Sequence, residues 1–234
     1  MTIATKTQYW NSRMNGSDPT ALTGTFNDTW SVSGGGSASS GDWLITNGVY
    51  TITPTTNEYT LVACLSYTTA PSSGTVLMKL DNGTHKVEVK STGNNTSLSL
   101  VGTSTVTVSN LDLALAEDNP VSLILRLTLA SDGTAKLYTH EIIEDDDANT
   151  AFSSVAGATG AGKAVVWGNT SGSVKWSSVY YSKFGSFNPK ELLLSDFAQD
   201  TLARMGLSIV NQLKNSTRPY LKTQVPDSSI VYGY

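Results

Sequence analysis

Apolar residues recur at every second position through most of this 234-residue chain, as far as Tyr181. This spacing is typical of β-strands with one buried face, because successive side chains of a strand point to opposite sides of the sheet. The clearest example is EYTLVACLSY, residues 58–67, in which one set of alternate positions holds Tyr59, Leu61, Ala63, Leu65 and Tyr67. The pattern predicts a strand with that face on a hydrophobic core.

Turn dipeptides separate the predicted strands. Asn82-Gly83 and Asp132-Gly133 each lie between two alternating runs, which is the strongest short-range signal for a β-hairpin. Asn47-Gly48 predicts a further tight turn, and the glycine- and serine-rich residues 34–41 predict a loop. About ten short strands with no helix between them favour a two-layer antiparallel sandwich over a parallel α/β sheet.

The pattern changes near the end of this β-body. A one-residue slip in the alternation at Ser177-Ser178 predicts a β-bulge in the last strand. Asn188-Pro189 then predicts the start of a helix, with Asn188 as its cap and Glu191 as the capping-box partner. A β-body therefore closes before a helical segment begins.

The predicted helix carries one apolar stripe, which we name the C-terminal stripe. Its members follow one another at spacings of four, four, three, four and four residues: Leu194, Ala198, Leu202, Met205, Ile209 and Leu213. The stripe either packs on the β-body or meets copies of itself in an oligomer. The tail beyond it holds Tyr220, Tyr232 and Tyr234 with little periodicity, so we expect any order there to come from something that the tail touches.

These patterns together predict an all-β protein, a two-layer antiparallel jelly-roll sandwich with a C-terminal helix and extended terminal arms. The expected organisation is an N-terminal arm in residues 1–24, the sandwich in residues 25–187, the helical segment in residues 188–215 and the tail in residues 216–234. Tyr9 and Trp10 lie in the N-terminal arm, which either folds back on its own domain or docks on a neighbour.

Composition excludes several classes of partner. The net charge is -4 and the pI is about 5.1, whereas nucleic-acid binding needs clustered Lys and Arg, so we expect no nucleic-acid partner. No run reaches the roughly 18 apolar residues of a membrane span, and residues 1–25 lack a signal peptide's apolar core, so we expect a soluble protein. The only cysteine, Cys64, excludes an intrachain disulfide and is expected to be buried.

No motif predicts catalysis, a cofactor or a metal. Residues 157–164 approach a phosphate-binding loop, but Ala164 replaces the magnesium-binding hydroxyl and a strand follows where a helix should start. The acidic run Glu144 to Asp147 lacks the spaced ligands of a calcium loop, so we interpret it as solvated. His85 and His140 have no nucleophile or metal partner in the sequence.

Four tryptophans of the β-body, Trp30, Trp43, Trp167 and Trp176, could form a sugar-stacking platform or fill the core. Large indole rings in a sandwich of this size usually fill the core or cover its ends, so we expect most of them to be buried. Trp167 stands beside the polar turn residues Gly168-Asn169, and we therefore predict it as the exposed tryptophan and the glycan-stacking candidate.

The first and last strands resemble those of concanavalin A-like (laminin-G-like) jelly rolls. The similar segments are Phe26 to Trp30, the following GDWLITNGVYTI, and VKWSSVYYSKFGSFNPKELLLSD near residue 196. The resemblance covers roughly residues 24–196. It implies the jelly-roll fold and a superfamily that includes lectins, glycan hydrolases, laminin-type modules and domains of tailed-bacteriophage virion proteins. The carboxylate strand of the hydrolases is absent, so we expect no enzyme.

The sequence predicts a structural function. The expected protein is a bacteriophage virion component, such as a capsid decoration, a neck or tail appendage or a fibre part, assembled in the host cytoplasm. It would bind other virion proteins and copies of itself through its arms, with Tyr9, Trp10, Leu202, Met205, Ile209, Tyr220, Tyr232 and Tyr234 as contacts. The alternative is a carbohydrate- or host-receptor-binding module with a glycan partner. A glycan hydrolase ranks last.

Overall fold

The computed structural model describes residues 7–11, 19, 23–24, 30–39, 42–67, 69–109, 111, 123–141 and 151–182. This part of the chain is all-β, and its fifteen strands form one antiparallel sheet. The strands are β1 (Thr7–Asn11), β2 (Thr23–Gly24), β3 (Trp30–Ser39), β4 (Asp42–Ile52), β5 (Tyr59–Ser66), β6 (Val76–Asn82), β7 (His85–Ser91), β8 (Ser97–Val101), β9 (Thr105–Ser109), β10 (Leu123–Leu129), β11 (Thr134–Glu141), β12 (Ala151–Ala156), β13 (Ala158–Thr159), β14 (Lys163–Asn169) and β15 (Val174–Ser182).

The sheet curls until its two ends meet. Its strand order is β12-β11-β10-β5-β15-β4-β14-β6-β7-β8-β9, with β1 on β15, β2 on β1, β3 on β4 and β13 on β7. The end strands β12 and β9 approach each other, and beside them the Thr103 amide donates to the Ala156 carbonyl at 2.8 Å. One hydrophobic core therefore lies between two halves of a single sheet, an arrangement that fits a β-sandwich.

Strand β4 is the corner at which the sheet turns. Its first half pairs with β15, where Trp43 lies opposite Trp176, and its second half pairs with β14, where Ile52 lies opposite Val165. The partner changes within the strand, and the register with β3 shifts at the same level, between Gly35 and Gly36. A bulge at the bend of a strand is a common way for a sheet to turn a corner.

The predicted tight turn at Asn47-Gly48 is therefore wrong. Both residues lie inside β4, paired with Gly35 and Gly34 of β3. Gly48 is required for another reason, since a Cβ atom there would lie 2.5 Å from the Gly35 carbonyl oxygen. An Asn-Gly dipeptide occurs both in tight turns and where two backbones approach each other closely, and the sequence alone does not distinguish these two uses.

The predicted loop at residues 34–41 is also wrong over most of its length, because residues 34–39 belong to β3. Gly36 lies directly on the indole of Trp43, and a Cβ atom at Gly36 would come within 2.4 Å of the indole nitrogen. Trp43 in turn donates that N–H to the Tyr50 hydroxyl at 2.8 Å. Gly36 therefore makes room for a large side chain instead of breaking the strand.

The two predicted hairpins, the β-bulge and the buried cysteine are confirmed. Asn82-Gly83 connects β6 to β7 and Asp132-Gly133 connects β10 to β11, with Gly83 at φ +90° and Gly133 at φ +88°, in the left-handed region that glycine favours. The β-bulge lies at Ser177, since Trp176 pairs with Leu65 and the next pair is Ser178 with Cys64. Cys64 is a free, buried cysteine.

The core is built from the predicted alternating positions of strands on both halves of the sheet. Fully buried members include Leu61, Ala63 and Leu65 of β5, Leu125 and Leu127 of β10, Val87 and Val89 of β7, Leu98 and Leu100 of β8, and Trp176 of β15. Close packing of these side chains is the main source of stability, because each one removes apolar surface from water.

The terminal predictions are only partly covered by the described residues. Tyr9 and Trp10 belong to β1, where they lie opposite Tyr180 and Val179 of β15, so this part of the arm is a strand of its own sheet. Residues 188–215, the C-terminal stripe and the tail all lie outside the described residues. No helix long and apolar enough to cross a membrane occurs in the part of the chain that the structure describes.

Candidate functional site

Four connections between strands meet at one end of the sheet, and we name this end the rim. They are residues 53–58 between β4 and β5, residues 83–84 between β6 and β7, residues 130–133 between β10 and β11, and residues 157–162, which contain β13. Hydrogen bonds join each connection to another, for example from the Gly157 amide to the Gly133 carbonyl at 2.8 Å and from the Gly160 amide to the Thr84 carbonyl at 2.8 Å.

The buried carboxylate of Asp81 ties two of these connections together. Asp81 has no exposed surface, and its two oxygens accept from the Gly83 amide at 2.9 Å and from the Ala161 amide at 3.1 Å. Lys79 lies 3.7 Å away and neutralises the charge from a partly exposed position. A buried carboxylate is stable only with such partners, so Asp81 fixes residues 83–84 against residues 157–162.

Asn82 ties in the other two connections. Its side-chain nitrogen donates to the carbonyls of Asn57, at 3.1 Å, and of Ala130, at 3.4 Å. Its side-chain oxygen accepts from the amides of Thr84, at 3.0 Å, and His85, at 2.7 Å. One nearly buried amide therefore joins three connections, and the rim is held in a single arrangement.

Tyr59 supports the rim from below. Its hydroxyl donates to the Thr56 carbonyl, within the connection that leads from β4 into β5. Burial, with a smaller contribution from the negative charge of Asp81, raises the pKa of Tyr59 to about 12. The hydroxyl therefore stays protonated and remains a donor throughout the physiological pH range.

Polar side chains cover the outer surface of the rim: Asn57, Glu58, Thr84, Ser131 and Asp132, all of them exposed. The Ser131 hydroxyl donates to the Glu58 carboxylate at 3.1 Å, which joins two neighbouring connections at the surface. Lys163 donates to the Thr55 carbonyl at 3.0 Å at the base of the same end. The rim thus offers carboxylate, amide and hydroxyl groups on connections that are already fixed.

Asp132 is held ionised at the tip of its hairpin. Hydrogen bonds from the backbone and side chain of Thr134 lower the pKa of Asp132, and the nearby His85 adds to the effect. The ring of His85 lies against Gly133, where a Cβ atom would come within 2.6 Å of the ring nitrogen. His85 therefore packs under the hairpin turn, and the lowered pKa of Asp132 favours the ionised form that accepts hydrogen bonds.

Three described connections at the opposite end of the sheet differ from the rim in composition. Residues 69–75, 92–96 and 170–173 contain no charged residue. Their hydroxyl and amide groups bond to each other, as in the pairs Ser91 to the Pro71 carbonyl at 2.7 Å and Thr75 to Ser171 at 2.8 Å. These bonds join the connections to one another, while Ser72, Asn94 and Thr96 among them remain exposed.

The prediction that Trp167 is exposed and stacks on a glycan is wrong. It has no exposed surface and lies in the core, stacked on Tyr50 with ring centroids 4.3 Å apart. Trp176 lies 5.1 Å and Trp30 lies 6.1 Å from it. Asn169, the polar neighbour that suggested exposure, is itself buried and accepts from the Trp176 indole at 3.3 Å.

The remaining candidates of the sequence fall into two groups. Residues 157–162 form a connection whose amides bond to Gly133, Thr84 and Asp81, and Lys163 and Ala164 begin β14. The acidic run Glu144 to Asp147 and the stripe residues Leu202, Met205 and Ile209 lie outside the described residues, as do Tyr220, Tyr232 and Tyr234. Within the described ranges, no three His, Cys, Asp or Glu side chains come together in a group that could hold a metal ion.

The sequence did not identify the rim as a site. Asn82-Gly83 indicated only a hairpin, and nothing nearby shows that Asp81 is buried, because its partner Ala161 follows 80 positions later in the chain. One signal was present in the sequence: an Asp and an Asn directly before a turn glycine, where both side chains can bond to the backbone of the turn.

No family model and no curated protein sequence matches this chain. Solved structures do match. The chain is similar to the binding domain of botulinum neurotoxin serotype D, with a TM-score of 0.53 and 10% identity over 82% of this chain and 51% of that one. It is similar to botulinum neurotoxin type C, with a TM-score of 0.50 and 11% identity over 81% of this chain and 50% of that one.

Arcelin-5, a lectin-like defence protein from Phaseolus vulgaris, is also similar, with a TM-score of 0.43 and 10% identity over 68% of this chain and 93% of that one. The chain spans about half the length of the neurotoxin structures that it matches. At these identities, the similarity to the neurotoxin structures shows the fold, which fits the β-sandwich expected from the sequence.

Proposed function

We propose that this chain is a carbohydrate-binding module that takes its ligand at the rim. The observation that carries the proposal is the rim's construction: the buried side chains of Asp81 and Asn82 fix four connections, and the exposed side chains above them are polar. Hydrogen-bonding groups that are already in place bind a polyhydroxylated ligand without the cost of ordering loops.

The charges of the rim favour a neutral glycan. Glu58 and Asp132 are exposed carboxylates, and carboxylates accept strong hydrogen bonds from sugar hydroxyls. An anionic sugar would meet like charge at both residues, while Asn57 and Thr84 add neutral donors and acceptors. We therefore propose neutral oligosaccharides as the ligand class, bound without catalysis.

The affinity is expected to be modest. In the described part of the chain the one exposed large apolar side chain is Val32, so the rim has no aromatic platform of described residues on which a sugar ring could stack. Hydrogen bonds that replace bonds to water contribute little each, so we expect a Kd of about 0.1 to 1 mM for a single site.

Proteins of similar fold support a binding role. Botulinum neurotoxin type C depends on interaction with two ganglioside molecules to enter cells. Receptor glycolipid is therefore the other ligand class to include in the test. The virion role and location have no support in the comparisons and stay predictions.

The test is a binding screen with the full chain against neutral oligosaccharides, sialylated oligosaccharides and vesicles that contain gangliosides. Binding to a neutral oligosaccharide is expected, and the double substitution Asn57→Ala/Asp132→Ala should weaken it at least about tenfold because two hydrogen-bonding groups are lost. Measurement of Kd by isothermal titration calorimetry gives this ratio.

The matched control is Asp42→Ala/Asn47→Ala, which removes the same two residue types from β4, away from the rim. It should leave the Kd unchanged. Equal weakening in both double variants, or binding to no glycan in the screen, would contradict the proposed function.

A further inference from the structure

Strand β3 is an open edge of the sheet. It pairs with β4 on one side, and the backbone groups that point away from β4 have no strand partner among the described residues. Its side chains are accessible as well, since Ser31, Val32 and Ser33 in its first half and Ser37 and Ala38 in its second half are exposed. An accessible edge of this length is a template for the addition of another strand.

The side chains of β3 do not oppose such an addition. Residues 30–39 contain no proline and no charged residue, the two kinds of residue that most often keep an edge strand from pairing. Gly34 has φ +77°, so the regular parts of the edge are residues 31–33 and 37–39 on either side of the central glycines. Those glycines carry no side chain that would keep a second backbone away.

The sequence of β3 is nearly the same when read in either direction. Residues 31–39 read SVSGGGSAS, so every position matches its mirror position about Gly35, except that Val32 corresponds to Ala38. Two antiparallel copies of a strand that are related by a two-fold axis pair each position with its mirror position. Symmetric pairing of β3 about Gly35 would therefore place serine opposite serine, glycine opposite glycine and valine opposite alanine.

The two faces of β3 also agree with this pairing. Val32 and Ala38 lie on the core side of the sheet, because they are opposite Tyr50 and Trp43 of β4, and the serines lie on the other side. A two-fold axis perpendicular to the sheet leaves the core sides of both copies facing the same way. Val32, which is 42% exposed, would then contact Ala38 of the second copy.

We propose that the open edge of β3 is a homodimer interface, in which β3 of one chain pairs antiparallel with β3 of a second copy and the two sheets become continuous. Residues 31–39 span about 30 Å at about 3.4 Å per residue, so the interface is long but only one strand wide. Such an interface lies at the small end of specific contacts, and we expect a dimer Kd of about 10 to 100 µM. The inference does not rest on glycan binding at the rim.

Sedimentation velocity of the full chain, from about 5 µM to about 500 µM, tests the proposal, because a dimer of this affinity forms within that range. The decisive variant is Ser33→Lys/Ser37→Lys. Position 33 of one copy lies opposite position 37 of the other in the proposed register, so two pairs of like charges would meet across the axis. The dimer Kd should rise at least about tenfold.

A charge exchange tests the register itself. Ser33→Glu/Ser37→Glu should also lose the homodimer, whereas an equimolar mixture of the lysine and glutamate variants should form a heterodimer, since each Lys then faces a Glu. The matched control is Ser72→Lys/Ser73→Lys, which makes the same two substitutions at exposed serines between β5 and β6. It should dimerise with the Kd of the unaltered chain.

Three results would overturn the proposal. The first is an unaltered chain that remains monomeric up to about 500 µM, well above the expected Kd. The second is a dimer of Ser33→Lys/Ser37→Lys as stable as that of the unaltered chain, which would assign dimerisation to another surface. The third is the absence of a heterodimer in the mixture, because opposite charges at positions 33 and 37 should then attract.

Discussion

Replacing Trp167 by alanine is expected to lower the free energy of unfolding by about 3 to 5 kcal/mol, the range for removing a large buried aromatic side chain. Trp167 has no exposed surface, is stacked on Tyr50, and contacts both Trp176 and Trp30. The cavity would open at the centre of this aromatic group, where close packing on all sides limits relaxation. Urea unfolding followed by circular dichroism measures the loss.

Val32→Ala is the control, because Val32 is 42% exposed on β3 and its truncation should change the stability by no more than about 0.5 kcal/mol. A loss below about 1 kcal/mol for Trp167→Ala would mean that the indole is at the surface, as the sequence suggested, and would contradict the core described here. The loss in the free energy of unfolding for Trp167→Phe should lie between the losses for Trp167→Ala and Val32→Ala, since the smaller ring keeps part of the stacking.

Replacing Asp81 by alanine is expected to lower the free energy of unfolding by about 2 kcal/mol, since two charge-assisted hydrogen bonds disappear. The amides that lose their acceptor belong to Gly83 and Ala161, which are exposed residues, so water partly replaces the carboxylate and limits the loss. The pKa of Tyr59 should also fall from about 12, because the charge of Asp81 contributes to it. An absorbance titration of tyrosinate measures this shift.

Lys79→Gln is the control for Asp81→Ala. It removes the ion pair at 3.7 Å but leaves both amide hydrogen bonds, and partly exposed ion pairs contribute little, so the change should stay within about 0.5 kcal/mol. Equal losses in the two variants would show that the ion pair, and not the amide bonds, holds the rim. Unchanged stability in Asp81→Ala would contradict the rim's construction.

The local sequence pattern predicted strands, turns and a bulge correctly, because each of these features depends on only a few neighbouring residues. The alternation in residues 58–67 identified β5, and Asn82-Gly83 and Asp132-Gly133 identified two hairpins, since strand faces and turn geometry depend on neighbouring residues. The slip at Ser177-Ser178 located the bulge for the same reason. These predictions needed no knowledge of distant contacts.

The predictions that were wrong depended on distant contacts. Gly48 is needed because the backbone at Gly35 approaches it, and the polar neighbour Asn169 made Trp167 look exposed although Asn169 is itself buried against Trp176. The rim was missed because Asp81 acquires its role from Ala161, which the fold brings to it. Residues that are far apart in the chain and contact each other only in the fold cannot be paired from the sequence unless a known motif includes both of them.

Hydrogen–deuterium exchange with and without a saturating neutral oligosaccharide tests the central claim most directly. Ligand at the rim should slow exchange in residues 53–58, 83–85, 130–134 and 157–162 together, because shared hydrogen bonds join these connections. Residues 67–75 and 91–97 at the opposite end should exchange as before. Protection confined to that opposite end, or no protection in any of the four rim segments, would contradict the account.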